Sequence, residues 1–453
     1  MSSDSLPDVL TTMNADGSRR WVRPKRAPGR FLTLRAIVGW GLIVLFVVLP
    51  FIHWNGRPVV LLDVPARQFH LFGRTFLSTD GVLLMLLLLT IFVGVFWLTA
   101  LLGRVWCGWA CPQTVYMELL FRPIEQWIEG GRKGQLDLDK RGGGARRVLK
   151  YAVFVLLSAV VANIFLAYFV GVARLGVWII DGPIAHPTGF LVMLVTAGLV
   201  FFDFGYFREQ MCTVACPYAR FQSVLLDQDS LIVGYDVKRG EPRGKKGKVE
   251  GDCVDCNACV VTCPTGIDIR HGLQMECVAC AQCIDACDKV MDKIGRPRGL
   301  IRYASQRSLE GGERKGLRPR TVAYPLLLTL LVGALVFAGG SAGQAEVTVL
   351  RGLSAPYVAD QAGIRNQIRV KIQNRGNDAR RYRIELLGLQ EATLIAPENP
   401  LAIDGGARRE TTVFVVSPPS AFTGGVRDVE FRVSDGEGFE TTVPYKLLGP
   451  GAS

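Results

Sequence analysis

Hydrophobic and polar positions divide the chain into three regimes. Long runs with almost no charge occupy roughly 34–52, 82–102, 151–172, 189–205 and 321–338. A helix needs about 20 apolar residues to cross a bilayer core, so five transmembrane helices are expected. The fifth carries Pro325 in its first turn, where a missing N–H is tolerated. From about 346 the period changes to two. Ile368, Val370 and Ile372 alternate with Gln367, Arg369 and Lys371, and Val429, Phe431 and Val433 with Glu430 and Arg432. Turn residues such as Asp404-Gly405-Gly406 and Asp435-Gly436 separate these runs. Such short, evenly spaced strands predict an antiparallel β-sandwich of immunoglobulin-like type, here without the cysteine pair of antibody domains. Between the two patterns lies a polar, cysteine-rich segment.

The expected fold is therefore a membrane α-helical protein with an inserted cysteine-rich domain and a C-terminal all-β sandwich. Its predicted divisions are a disordered basic N-terminus (1–30), a membrane domain of two helix hairpins (31–225), a hinge (226–249), the cysteine-rich domain (250–303), a linker with the fifth helix (304–340), and the sandwich (341–453). The glycine-rich stretch 130–147 reads as a flexible connection.

Charge sets an orientation. Six Lys and Arg precede residue 34, eight lie in 103–147 and nineteen in 206–320, against three in 53–81 and one in 173–188. Positive charge stays on the cytoplasmic side. The N-terminus and the cysteine-rich domain are expected there, and the sandwich in the periplasm of a bacterial inner membrane. Topology of this kind accounts for the net charge of +12 without a nucleic-acid partner. Arg19-Arg20 reads as a charge anchor rather than an export signal, because no small-residue cleavage site closes the first apolar run. Asp63, Arg67 and His70 read as an ordinary solvated outer loop. The spans contain no histidine, which argues against a transmembrane haem.

All twelve cysteines precede residue 288, on the expected cytoplasmic side, where thiols stay reduced. Eight form two runs of identical spacing: Cys253-x2-Cys256-x2-Cys259-x3-Cys263-Pro264 and Cys277-x2-Cys280-x2-Cys283-x3-Cys287. This is the ligand spacing of a two-cluster bacterial ferredoxin, in which the fourth cysteine of each run serves the other cluster. One [4Fe–4S] cluster is thus expected on Cys253, Cys256, Cys259 and Cys287, the second on Cys277, Cys280, Cys283 and Cys263. Structural zinc also uses paired cysteines, but not this spacing twice over. The second run departs from the pattern in having Asp288 where proline follows Cys263 in the first.

The remaining four cysteines make their own repeat. Helices two and four run into Cys107-x3-Cys111-Pro112 and Cys212-x3-Cys216-Pro217. Brought together, the pairs would present four soft ligands at the membrane surface, suited to Cu(I), zinc or an iron–sulfur cluster. Spacing does not choose among these. Met117 and Met211 are expected to be packing residues.

Several ordered stretches resemble the cytochrome c oxidase accessory protein family (CcoG, FixG, RdxA). They include Leu61–Arg67, Gly103-Arg-Val-Trp-Cys-Gly-Trp-Ala-Cys-Pro112, Cys216-Pro-Tyr-Ala-Arg-Phe-Gln222, Gly240–Gly244, Cys263–Arg270 and Pro297–Tyr303. The resemblance implies a membrane-bound polyferredoxin that assists assembly of a cbb-type oxidase by reducing Cu(II) to Cu(I). On that account Cys107, Cys111, Cys212 and Cys216 are catalytic and hold the copper, and the partners are oxidase subunits or copper-delivery proteins. A quinol-linked electron conduit to a periplasmic reductase and a non-catalytic assembly scaffold are the alternatives. The sequence names no electron donor.

Overall fold

The computed structural model describes residues 11–14, 16–54, 57–64, 68–77, 81–244, 251–313, 316, 318–341, 344–361, 363–376 and 378–450. The chain divides into two compact units, one of residues 1–51 and 84–334, the other of 52–83 and 335–453. Arg67 lies outside the described residues.

Among the described residues, five helices are long and apolar enough to cross a membrane: Arg30–Phe51, Gly81–Leu102, Ala145–Val170, Pro187–Phe207 and Pro319–Gly339. Their surfaces stay apolar where protein does not cover them, as at Ile37, Met85, Leu156, Leu194 and Phe337. Outward-facing hydrocarbon on this scale is what lipid, rather than water, accommodates. The segment expected as a loop after the third span is a further helix, Val172–Ala185, kinked at Gly182-Pro183, with Ile180 and Ile184 almost fully exposed. Apolar residues without a long uncharged run hid it from a search for spans.

The C-terminal part of the second unit is the expected sandwich. One sheet joins 393–395, 408–417, 363–374 and 345–351, with 358–360 added at its edge. The other joins 401–403, 380–387, 426–434 and 440–448, and every pairing is antiparallel. Period-two patterning buries Ile368, Val370 and Ile372 from one sheet against Tyr382, Ile384, Phe431 and Val433 from the other. Asn366 breaks the apolar face and is satisfied there. Its amide bonds both the N–H and the carbonyl of Leu448, at 2.9 Å each. In the same unit, 53–81 is more than a loop. Val60–Asp63, Gln68–Leu71 and Arg74–Leu77 form an antiparallel meander that pairs Leu61 with His70 and buries Asp63.

Three segments expected as a disordered terminus, a flexible connection and a hinge contain ordered structure in the first unit. The first two carry polar groups that find buried partners, and the third holds an apolar strand. Residues 16–29 run across the cysteine-rich domain, with Lys25 N–H on Val261 O at 3.0 Å and Thr262 Oγ1 on Lys25 O at 2.8 Å. Residues 131–140 are helical and bury Gln135. The expected hinge contains a buried strand, Ile232–Tyr235, paired with Ile301–Ala304 to close the cysteine-rich domain; residues 245–250 lie outside the described residues.

A buried ionic network fastens these pieces. Glu125 receives Arg208 at 2.5 Å, Arg23 at 3.0 Å and Lys150 at 3.3 Å. Glu209 receives Arg19 and Arg122, both at 3.0 Å, and Lys150 also reaches Glu129 at 3.0 Å. The first helix is tied in by Asp285, whose carboxylate accepts the N–H of Phe31 at 3.1 Å and of Leu32 at 2.8 Å. A carboxylate there also complements the positive end of the helix dipole. Burial pushes the Glu125 carboxyl up, but Arg208, Lys150 and Arg23 outweigh it and hold it at about 2. Its folded value thus lies below the ordinary 4.5. The contribution is complete above that range and is lost as pH falls towards about 2. Glu125→Gln should cost about 3–5 kcal/mol at neutral pH, because Arg208 is left buried and uncompensated. Thermal unfolding of the detergent-solubilised protein should show this as a lowered midpoint, and the gap to wild type should narrow on acidification.

Candidate functional site: two cysteine sets in contact

The eight cysteines of the inserted domain line two cavities. Cys253, Cys256, Cys259 and Cys287 meet around one, and Cys263, Cys277, Cys280 and Cys283 around the other, where Cys259 also contributes to the wall. Each cavity, its mouth included, leaves about 350–360 Å³ between protein atoms. The crossing of the fourth cysteine is therefore present in the geometry: Cys287 faces the first run and Cys263 the second.

Local backbone explains how the loops wrap these spaces. Asp255 and Asn257 flank Cys256 with φ of 52° and 56°, and Ala279 and Ala281 flank Cys280 with φ of 53° and 60°. Left-handed conformations at non-glycine residues are uncommon and persist where the surroundings fix them, typically around a bound group. The same pair of conformations recurs at equivalent positions of both runs. Burial pushes the Cys280 thiol up to about 11 and the Cys277 and Cys287 thiols up to about 12, each with further repulsion from neighbouring cysteines. Thiolates held in such a place need cationic charge to balance them, which the iron of a cubane supplies. The donor set and the cavities fit two [4Fe–4S] clusters.

The Cys-x3-Cys-Pro motifs fold alike. Cys111 and Cys216 have extended backbone (φ −61° and −69°) and stand just before the helices Pro112–Tyr116 and Pro217–Leu225. Proline at the first helical position forgoes an N–H that would have no partner there. The thiols of Cys107, Cys111, Cys212 and Cys216 repel one another electrostatically, so the topology brings both pairs together. Burial first, and then Cys111, pushes the Cys107 thiol up to about 12; burial also raises Cys111 and Cys212. Among the described residues no three His, Cys, Asp or Glu side chains converge on one ion-sized point.

What joins the two sets is backbone contact. Gly108, between Cys107 and Cys111, lies so close to the Cys277–Cys280 loop that a Cβ there would stand 2.6 Å from Val278 O and 2.8 Å from Ala279 O. Arg104 donates to the carbonyl of Cys277 at 3.1 Å and to that of Met275. Arg35 Nε binds Gly108 O at 2.8 Å. Trp109 Nε1 donates to Tyr303 Oη at 2.9 Å, and Tyr303 Oη to Ala279 O at 2.5 Å. Gln222, fully buried, accepts from Cys107 Sγ at 3.2 Å and donates to Gly103 O at 3.1 Å. Sequence reasoning assigned roles to none of Arg104, Gly108, Trp109, Gln222 and Tyr303. All five sit inside the motif stretches quoted above, but only the fold reveals that they bridge two distant segments. Met117 is buried in the helix core, as expected.

Comparison with known proteins now gives the chain its place. The sequence profile of the 4Fe-4S dicluster domain matches residues 207–306, that of a 4Fe-4S binding domain residues 84–133, and that of the Ig-like fold at the C-terminus of FixG residues 335–450. Protein RdxA of Cereibacter sphaeroides is 34% identical, over 92% of this chain and 94% of its own length. Nitrogen fixation protein FixG of Rhizobium meliloti is 34% identical over 83% of this chain and 81% of its own, and Protein RdxB of C. sphaeroides 34% identical over 88% of each. Identity of 34% to RdxA, FixG and RdxB over most of the chain, together with the matched dicluster and FixG C-terminal domains, makes this protein a member of the RdxA/FixG family of membrane iron–sulfur electron-transfer proteins.

Proposed function

We propose that the protein reduces Cu(II) to Cu(I) at Cys107, Cys111, Cys212 and Cys216, and that it does so in the assembly of a cbb-type cytochrome c oxidase. The observation that carries this reading is the packing of Gly108 on the Cys277–Cys280 loop. It puts a soft four-sulfur surface next to a one-electron store with no intervening domain motion. Copper is the substrate. Thiolates favour its reduced state, so each transfer of a single electron leaves the ion in the form the sulfurs hold best. When bound, the clusters supply those electrons, with Cys253, Cys256, Cys259 and Cys287 holding one and Cys263, Cys277, Cys280 and Cys283 the other. Gln222 fixes the Cys107 thiol, and Arg104 ties the motif to the cluster loop. Positive-inside charge supports a cytoplasmic inserted domain and a periplasmic sandwich. Oxidase subunits or copper-delivery proteins are the partners this reading implies.

A second reading has its own support. The 4Fe-4S match over 84–133, which contains Cys107 and Cys111, also suits a third iron–sulfur centre at the membrane motifs. Metal analysis of anaerobically purified protein separates the two. If copper is the occupant, the Cys107/Cys111/Cys212/Cys216→Ser variant keeps about eight irons and loses copper binding. A wild type with about twelve irons that falls to about eight in the variant establishes the third centre instead.

Gly108→Val tests the contact itself. The added side chain must push the Cys277–Cys280 loop away, so Cu(II) reduction by dithionite-reduced protein should slow by about ten- to a hundredfold while iron content stays at the wild-type level. Stopped-flow oxidation of the clusters provides the rate.

A further inference from the structure

The first unit contains a cavity that none of this chemistry uses. It is an open groove among the first, third and fourth spans, with about 1920 Å³ between protein atoms, its open mouth included. Leu42, Phe46, Phe165 and Leu199 are among its apolar walls, and Trp106 and Pro112 bring it to the first cysteine motif. Most of its few polar side chains are engaged elsewhere: Tyr168 Oη binds Phe46 O at 2.7 Å and Thr196 Oγ1 binds Val192 O at 2.8 Å. Asp203 and Gln113 are different. Gln113 Nε2 donates to Asp203 Oδ1 at 3.0 Å and to Arg208 O at 3.1 Å, and both residues line the cavity. A carboxylate inside a spanning helix is costly to keep and marks a functional position.

We propose that this cavity binds a membrane quinol as the electron donor, with Asp203 accepting a hydrogen bond from a ring hydroxyl. Long apolar walls with one polar pair match a compact ring carrying an isoprenoid tail. A phospholipid fits worse, because its anionic phosphate would face the Asp203 carboxylate. Quinol becomes quinone as both O–H bonds break. The two electrons pass one to each cubane across the contact of Gly108 with the Cys277–Cys280 loop. The two protons leave in turn through Asp203 to a separate polar cavity, which Gln113 also lines, together with Glu118 and Glu209.

This inference rests on the electron-transfer reading, and its test uses the detergent-solubilised, cluster-loaded protein. A photoreactive quinone analogue should label peptides containing Phe46, Phe165 or Leu199. Excess decylubiquinol should suppress the labelling, and so should Val200→Trp, which fills the cavity; excess phosphatidylglycerol should not. Decylubiquinol should bleach the cluster absorbance in wild type, about tenfold or more slowly in Asp203→Asn, with dithionite bleaching unchanged in both variants. Labelling that phosphatidylglycerol displaces as well as quinol overturns the proposal. So do quinol bleaching that ignores both variants and no quinol bleaching of wild type. A wild type that reduces Cu(II) after dithionite but not after quinol removes this inference alone and leaves the copper reading standing.

Discussion

Close approach of two backbones, at Gly108 and the Cys277–Cys280 loop, is the constraint on which the rest of the first unit depends. Only a residue without a Cβ lets those carbonyls come so near. Because the gap is closed by main chain, side-chain motion does not open it. The surrounding bonds all act to keep it closed: Arg35 on the glycine carbonyl, Arg104 on the cysteine loop, and the Trp109–Tyr303–Ala279 relay. A soluble ferredoxin would meet its acceptor by diffusion. Here the corresponding domain is part of the membrane domain's own packing.

That packing explains the unusual amount of buried charge. Glu125, Glu129, Glu209, Arg122 and Arg208 are all nearly inaccessible, and a hydrophobic substitute would satisfy stability at least as well. Their distribution suits a different task. They join the end of the fourth span, the helix after the first cysteine motif and the N-terminal segment, and Arg122 reaches Pro264 O at 3.1 Å, beside Cys263. Directional ionic contacts fix register between elements that are far apart in sequence, where apolar contacts would allow sliding. The first helix is registered in the same way, through Asp285, two residues from Cys287.

Legibility in the sequence followed the range of the interactions. Spans and sandwich strands were readable because a bilayer or a two-sheet core imposes a period on neighbouring residues. Cysteine spacing was readable because one loop must wrap one cube. Residues 16–29 and 131–140 carry polar side chains that read as solvated until buried partners such as Glu209, Glu125 and Glu129 come into view, while 232–235, short and apolar inside the expected hinge, gains its place only from the distant strand 301–304. The helix Val172–Ala185 was missed since its charge and kink resemble a loop. Gly108, Arg104 and Gln222 were invisible as functional positions, because their importance lies wholly in what they touch.

The central claim is that the two cysteine sets form one electronic unit. Rapid-freeze electron paramagnetic resonance on dithionite-reduced protein mixed with a single equivalent of Cu(II) tests it most directly. The account predicts that the Cu(II) signal vanishes while the reduced-cluster signal falls by one spin, half of what the two clusters carry, and that both changes share one rate. Loss of the Cu(II) signal while the clusters stay reduced, or cluster oxidation that lags behind it, would contradict it.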